Sequence, residues 1–258
     1  MPPDGSKVAS ASEPSAFATS PVLAIGLGRG GSGKSTGLAE LVWRAKNAGR
    51  SVIVADGDSL SKTLTDTFPG EVSSPQSDQF VDVRDWLNGL LNQVGTKRQS
   101  AVLDLGGGDR MLQEYGRKLP IVEFCATYGI DPVAIYYLGP SVEDLRHVLA
   151  IWNSGHFRPE RTLLMMNEGV VDVGSRMSDA FAATLRNPDF NEMLKAGAKA
   201  ILLSRLECME EIKASRLGFY EATAPNVPLD IISKFQLGIW LRDLEAKRAH
   251  VGALSWLP

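Results

Sequence analysis

The chain has 258 residues, 44% of them hydrophobic and 22% charged, with a formal net charge of −3 and two cysteines. That length buries a core without disulfide or metal staples, and Cys125 and Cys208 are too few and too distant for a disulfide scaffold or a cysteine zinc site. No apolar run approaches the 18 residues of a membrane-spanning helix, and mild acidity argues against a dedicated nucleic-acid coat, so the composition reads as a soluble cytoplasmic protein of a reducing compartment.

Residues 1–20 are rich in Ser, Ala and Pro and carry Phe17 as their one large apolar residue after Met1. Such a segment cannot offset its ordering entropy by burial, which predicts a disordered arm before a single domain over 21–258. Continuous apolar runs follow at 22–27, 51–55, 101–104, 132–138, 162–166 and 200–203. Unbroken rather than alternating runs suit strands covered on both faces. Helical patterns at 37–48, 83–93, 111–128, 141–152 and 177–185 lie between them, and 68–78, with two prolines and three serines, reads as a loop. Strand–helix alternation of this kind predicts an α/β fold: a doubly wound, mostly parallel sheet with helices on both faces. The C-terminal helical segment 229–250 carries Leu229, Ile232, Phe235, Ile239, Trp240 and Leu244 at mostly helical spacing, which predicts packing against the core.

The glycines after the first run carry the chemistry. Gly28-Arg-Gly-Gly-Ser-Gly33-Lys34-Ser35-Thr36 fits the phosphate-loop pattern G-x-x-x-x-G-K-[ST]. Gly28, Gly30, Gly31 and Gly33 let backbone N–H groups turn inward around phosphate oxygens, with Ser32 between them. Lys34 supplies a point charge for the β and γ phosphates, Ser35 a hydroxyl for Mg²⁺, and the helix running through Thr36 the positive end of its dipole. Downstream, Asp56 and Asp58 follow the second run, and Asp104 ends the third, ahead of Gly106-Gly-Gly108-Asp109. An acid at the tip of an apolar strand is the usual partner of a nucleotide-bound Mg²⁺. Aspartates also open turns and cap helices, a reading equally available to Asp56, Asp58 and Asp109.

With Arg29 ahead of Gly30-Gly31, the loop resembles the deviant phosphate loop of the MinD/ParA group of ATPases, whose pattern is Lys-Gly-Gly-x-Gly-Lys-[Ser/Thr]. The resemblance implies ATP and Mg²⁺ as ligands and an ATP-dependent homodimer in which the early basic residue reaches the partner's nucleotide. Arg29 keeps the charge of that lysine and replaces a point with a planar fork; it reads as an arginine finger or as a solvated loop residue. The resemblance further implies that Asp58, supported by Asp56, orients the attacking water or a metal-bound water, that Asp104 and Gly108 form a second switch, and that Asn167 reads the adenine. Arg205 falls in the segment that closes over the base, without the family's proline. The C-terminal part is similar in pattern to TraL-type plasmid transfer and stability ATPases. What the resemblance implies is a slow, partner-stimulated ATPase switch serving plasmid mobilisation, conjugation, partition or spatial positioning, with a protein partner from such a system.

Alternatives stay open. A small-molecule kinase would use the same loop but needs an arginine-rich lid, and 155–161 offers only Arg158 and Arg161. An ATP-binding protein with little turnover is a third reading. Direct DNA binding would need a basic stripe, for which Arg158, Arg161, Lys195, Lys199, Arg242 and Arg248 are the candidates.

Overall fold

The computed structural model describes residues 20–58, 63–105, 109–172 and 179–258. The predicted arm therefore lies outside the described residues, except for Ser20.

Seven strands form one sheet in the order β3-β2-β4-β1-β5-β6-β7, with every pairing parallel. They are β1 Val22–Leu27, β2 Val52–Asp56, β3 Val72–Ser73, β4 Ser100–Asp104, β5 Asp131–Leu138, β6 Arg161–Asn167 and β7 Lys199–Leu203. Six are the apolar runs of the sequence. The seventh, β3, falls inside the predicted loop 68–78, two residues pairing with Val54 and Ala55 at the sheet edge. Side chains alternate between two cores, as a parallel sheet covered on both faces requires. Leu23, Ile25 and Leu27 of β1 enter one core, Val22 and Ala24 the other.

The first core is closed by α3 Phe80–Lys97, α4 Asp109–Gly116, α5 Ile121–Thr127, α6 Val142–Ser154 and α8 Pro188–Lys195, with Phe181 entering it just ahead of α7 Ala182–Arg186; α8 starts at Pro188. The predicted helix 111–128 is thus two helices, with Pro120 preceding α5; proline suits a helix start and disrupts a helix interior. α6 begins where the Ser141 hydroxyl accepts from the Glu143 amide at 3.2 Å and ends on Gly155 at φ 71°, two ordinary helix stops. The second core is closed by α1 Lys34–Asn47, α2 Thr63–Thr67, α9 Met209–Ser215 and α10 Ile231–His250.

α1 sits tight on the sheet. A Cβ at Gly26 would fall 2.4 Å from a Leu38 methyl, and one at Gly37 would fall 2.2 Å from the Tyr137 ring. Close approach fixes the depth at which the loop before α1 emerges. α1 is also tied to α10: the buried Arg248 guanidinium forks onto both carboxylate oxygens of the buried Glu40. Tyr220 donates to the same carboxylate at 3.2 Å, and Arg44 and Arg248 share Glu245.

The packing expected of α10 holds for Trp240 and Leu244, joined by Leu237 and Leu241. It fails for Ile232, Phe235 and Ile239, which are 64%, 67% and 45% exposed. The helix therefore presents an apolar outer face over its first half, on the side opposite the buried Leu237, Trp240, Leu241 and Leu244. No helix among the described residues is long and apolar enough to cross a membrane.

Candidate nucleotide site

The site lies at the carboxyl end of the sheet, where the crossover from β1 runs toward β2 and that from β5 runs toward β6. Crevices at such reversals are where open α/β sheets bind ligands. The loop between β1 and α1 bends there at Gly28 (φ 144°), Gly31 (φ 83°) and Gly33 (φ 82°). At Gly33 the left-handed backbone and the neighbour agree on glycine, since a Cβ would lie 2.1 Å from the Asn167 amide nitrogen. Gly30 and Gly31 have nothing within 4 Å of a built Cβ, so their outer side is open.

Lys34 and Ser35, consecutive at the start of α1, meet Asp104 at the tip of β4. The Lys34 ammonium binds Asp104 Oδ1, and the Ser35 hydroxyl donates to Oδ2 at 2.7 Å. Asp56 ends β2 in direct register with Asp104. Its Oδ1 accepts from the Asp58 amide at 3.0 Å, which places Asp58 just beyond the strand in an aspartate turn. Burial, more than the nearby Asp104 charge, raises the Asp56 carboxyl to about 6, against the pull of the Asp58 amide. Asp56 Oδ2 and the Ser32 hydroxyl are buried without a hydrogen-bond partner among the described residues. A glycine loop at the head of a helix, a lysine, a hydroxyl and two adjacent carboxylates make a set that suits a nucleotide polyphosphate with a hard divalent cation.

Asn167, ending β6, does something its residue type alone did not show. Its Nδ2 donates to the Ser32 carbonyl at 2.9 Å, and its Oδ1 accepts from the Gly169 amide at 2.9 Å. It is a brace between the phosphate loop and the 3₁₀ turn Glu168–Val170, lining a cleft of about 440 Å³ with Thr36, Leu203, Met209, Lys213 and Trp240. Arg205 also lines this cleft, but its guanidinium donates to the Glu168 and Val171 carbonyls. Those two bonds hold the turn. Arg29 projects from the loop to an ion pair with Asp144 of α6, 3.5 Å away. Gly108 lies outside the described residues. The basic candidates are dispersed: Arg248 is buried on Glu40, Arg161 pairs with Asp131, Lys195 pairs with Glu192, and Arg158 stacks on Trp152.

The sequence did not point to Asp144 or to the Glu40–Arg248 pair. Both are contacts between distant segments, and spacing along the chain carries no signal for them.

No family model matches the chain, and no curated protein is similar to it in sequence. Solved structures do match. A chain of the MinC:MinD cell division protein complex of Aquifex aeolicus is 13% identical, with TM-score 0.51 over 88% of this chain and 96% of that one. The MinD cell division protein of the same organism is 14% identical, with TM-score 0.48 over 88% and 97%. Chloroplast FtsY from Physcomitrella patens is 18% identical, with TM-score 0.41 over 57% of this chain; the match spans about half (49%) of the FtsY chain. At these identities the likeness is one of fold. The parallel seven-stranded sheet with helices on both faces is an α/β fold shared with the Aquifex complex, and a loop of the phosphate-loop pattern follows its first strand.

Proposed function

We propose that the chain is an ATP-binding and ATP-hydrolysing switch of the MinD/ParA type, acting with a protein partner in plasmid mobilisation, segregation or spatial positioning. The observation that carries the ATPase reading is the convergence of Lys34, Ser35 and Asp104 at the mouth of a glycine loop bent for inward amides. The plasmid role rests on the resemblance of the loop and of the C-terminal part alone.

In this reading Lys34 leaves Asp104 and moves to the β and γ phosphates, exchanging a carboxylate for a phosphate partner. Ser35 and Asp104 would hold Mg²⁺, which would supply charge neutralisation at the phosphates. Asp58 orients the attacking water, and Asp56 fixes the turn that presents Asp58. Adenine enters the cleft beside Asn167 and Trp240, with the Asn167 brace linking base to loop. ATP then favours one arrangement of the switch segments, and hydrolysis releases it.

Phosphate release from ATP, measured for the wild type, Lys34→Ala and Asp58→Ala with and without DNA, tests this. Turnover in the wild type and its loss by at least about 100-fold in both variants is expected, of the size seen when a charge-stabilising group is removed. Equal release from all three proteins would defeat the ATPase reading, and tight ATP binding without turnover in the wild type would favour the binding-protein alternative.

A further inference from the structure

The contact between Arg29 and Asp144 joins the phosphate loop to a helix of the same chain. Arg29 is the second residue of the loop, and its carbonyl closes the turn by accepting from the Ser32 amide at 3.2 Å. Its side chain is 44% exposed, while the Asp144 side chain it reaches is 12% exposed. Asp144 is not a loose surface acid. It sits in the first turn of α6 behind the Ser141 cap, and its Oδ2 fills the space over Gly139, where a Cβ would lie 2.5 Å away. The carboxylate is thus seated by the fold, and the arginine comes to it.

A guanidinium laid against α6 of its own subunit cannot extend to a nucleotide held by a second copy. We propose that Asp144 is a positioning residue that latches Arg29 in cis, so that ATP-dependent pairing of two copies requires both latches to open. This rests on the reading of Arg29 as a group that acts across a dimer. The neighbouring acid Glu143 makes the comparison internal: it occupies the same first turn and contributes the same charge at the helix N-terminus, but it pairs with Arg146. A long contact with a half-exposed partner falls in the range of surface ion pairs, worth about two- to five-fold in an equilibrium. Two latches per dimer make about four- to twenty-five-fold.

The test is the dimer dissociation constant by sedimentation, in an Asp58→Ala background that blocks turnover, with Mg²⁺ and either ATP or ADP. Asp144→Asn is expected to tighten the ATP dimer by about four- to twenty-five-fold and to leave the ADP form monomeric. Glu143→Gln is expected to change nothing, and Asp144→Asn added to Arg29→Ala is expected to change nothing beyond Arg29→Ala. Thermal melting of each variant checks that the fold is kept. An ATP dimer that Asp144→Asn weakens or leaves unaltered overturns the latch and leaves the trans role of Arg29 standing. No ATP dimer in any variant, Asp144→Asn included, removes the trans role itself and the latch with it.

Discussion

Asp56 is a carboxyl that folding places at a disadvantage. It ends β2 beside Asp104, and its second oxygen is buried without a partner among the described residues. Its pKa of about 6, against 3.8 for the free group, means that the folded chain binds this proton more tightly than the unfolded chain does. The native state therefore holds more protons between pH 4 and pH 6, so stability falls as the pH rises through that window and stays low above it. Asp56→Asn keeps the acceptor for the Asp58 amide and removes the charge. In chelator without nucleotide it should stabilise the protein by about 1–3 kcal/mol at pH 7, with the gain vanishing near pH 4; urea unfolding at the two pH values measures it. The phosphate-loop glycines, Lys34, Ser35 and Asp104 were legible because loop spacing and a strand-ending acid are local patterns. Asn167 was expected near the loop from the family resemblance, but its use as a brace depends on Ser32, 135 residues away.

Elements were legible to the extent that their burial is written in neighbouring residues. Six strands are apolar runs, whereas β3 is two residues held by the edge of β2, too short to leave a pattern. α10 shows the limit from the other side. Apolar residues lie around much of the helix, so spacing alone did not separate Leu237 and Leu241, which face inward, from Phe235 and Ile239, which face outward. On the inward face, with Leu237 and Leu241, lies Arg248, whose guanidinium is committed to Glu40 of α1. Arg248→Met leaves the Glu40 carboxylate buried without its cation and should cost about 3–5 kcal/mol. Glu40→Leu combined with Arg248→Met replaces the pair with apolar groups and should recover most of that loss. Chemical unfolding of the two variants distinguishes an ion pair that orients α10 from one that chiefly supplies its stability.

At the scale of the whole molecule the decisive feature is where β1 lies. The first strand of the sheet is its centre, flanked by β4 and β5 in the order β2-β4-β1-β5. Strand–helix alternation was enough to read the class of fold, but strand order is a property of crossovers, which local patterns do not encode. Leu23 pairs with Ala101 on one side, and Val22 with Asp131 on the other. The segment carrying the phosphate-loop pattern thus leaves the ribosome before both of its neighbours and has no second flank until β5 follows. At roughly 5–20 residues per second, the wait is on the order of 5–20 s. Ribosome-stalled chains that end before residue 131 should fail to capture an ATP photoaffinity probe, while chains that extend through β7 should be labelled; labelling of the shorter chains would contradict this order of assembly. A central first strand also means that, during synthesis, both of its hydrogen-bonding edges stand open together with an apolar run. Until β4 has been made, the segment that carries the phosphate-loop pattern has neither flank, which makes it a target for a chaperone that binds exposed apolar strands.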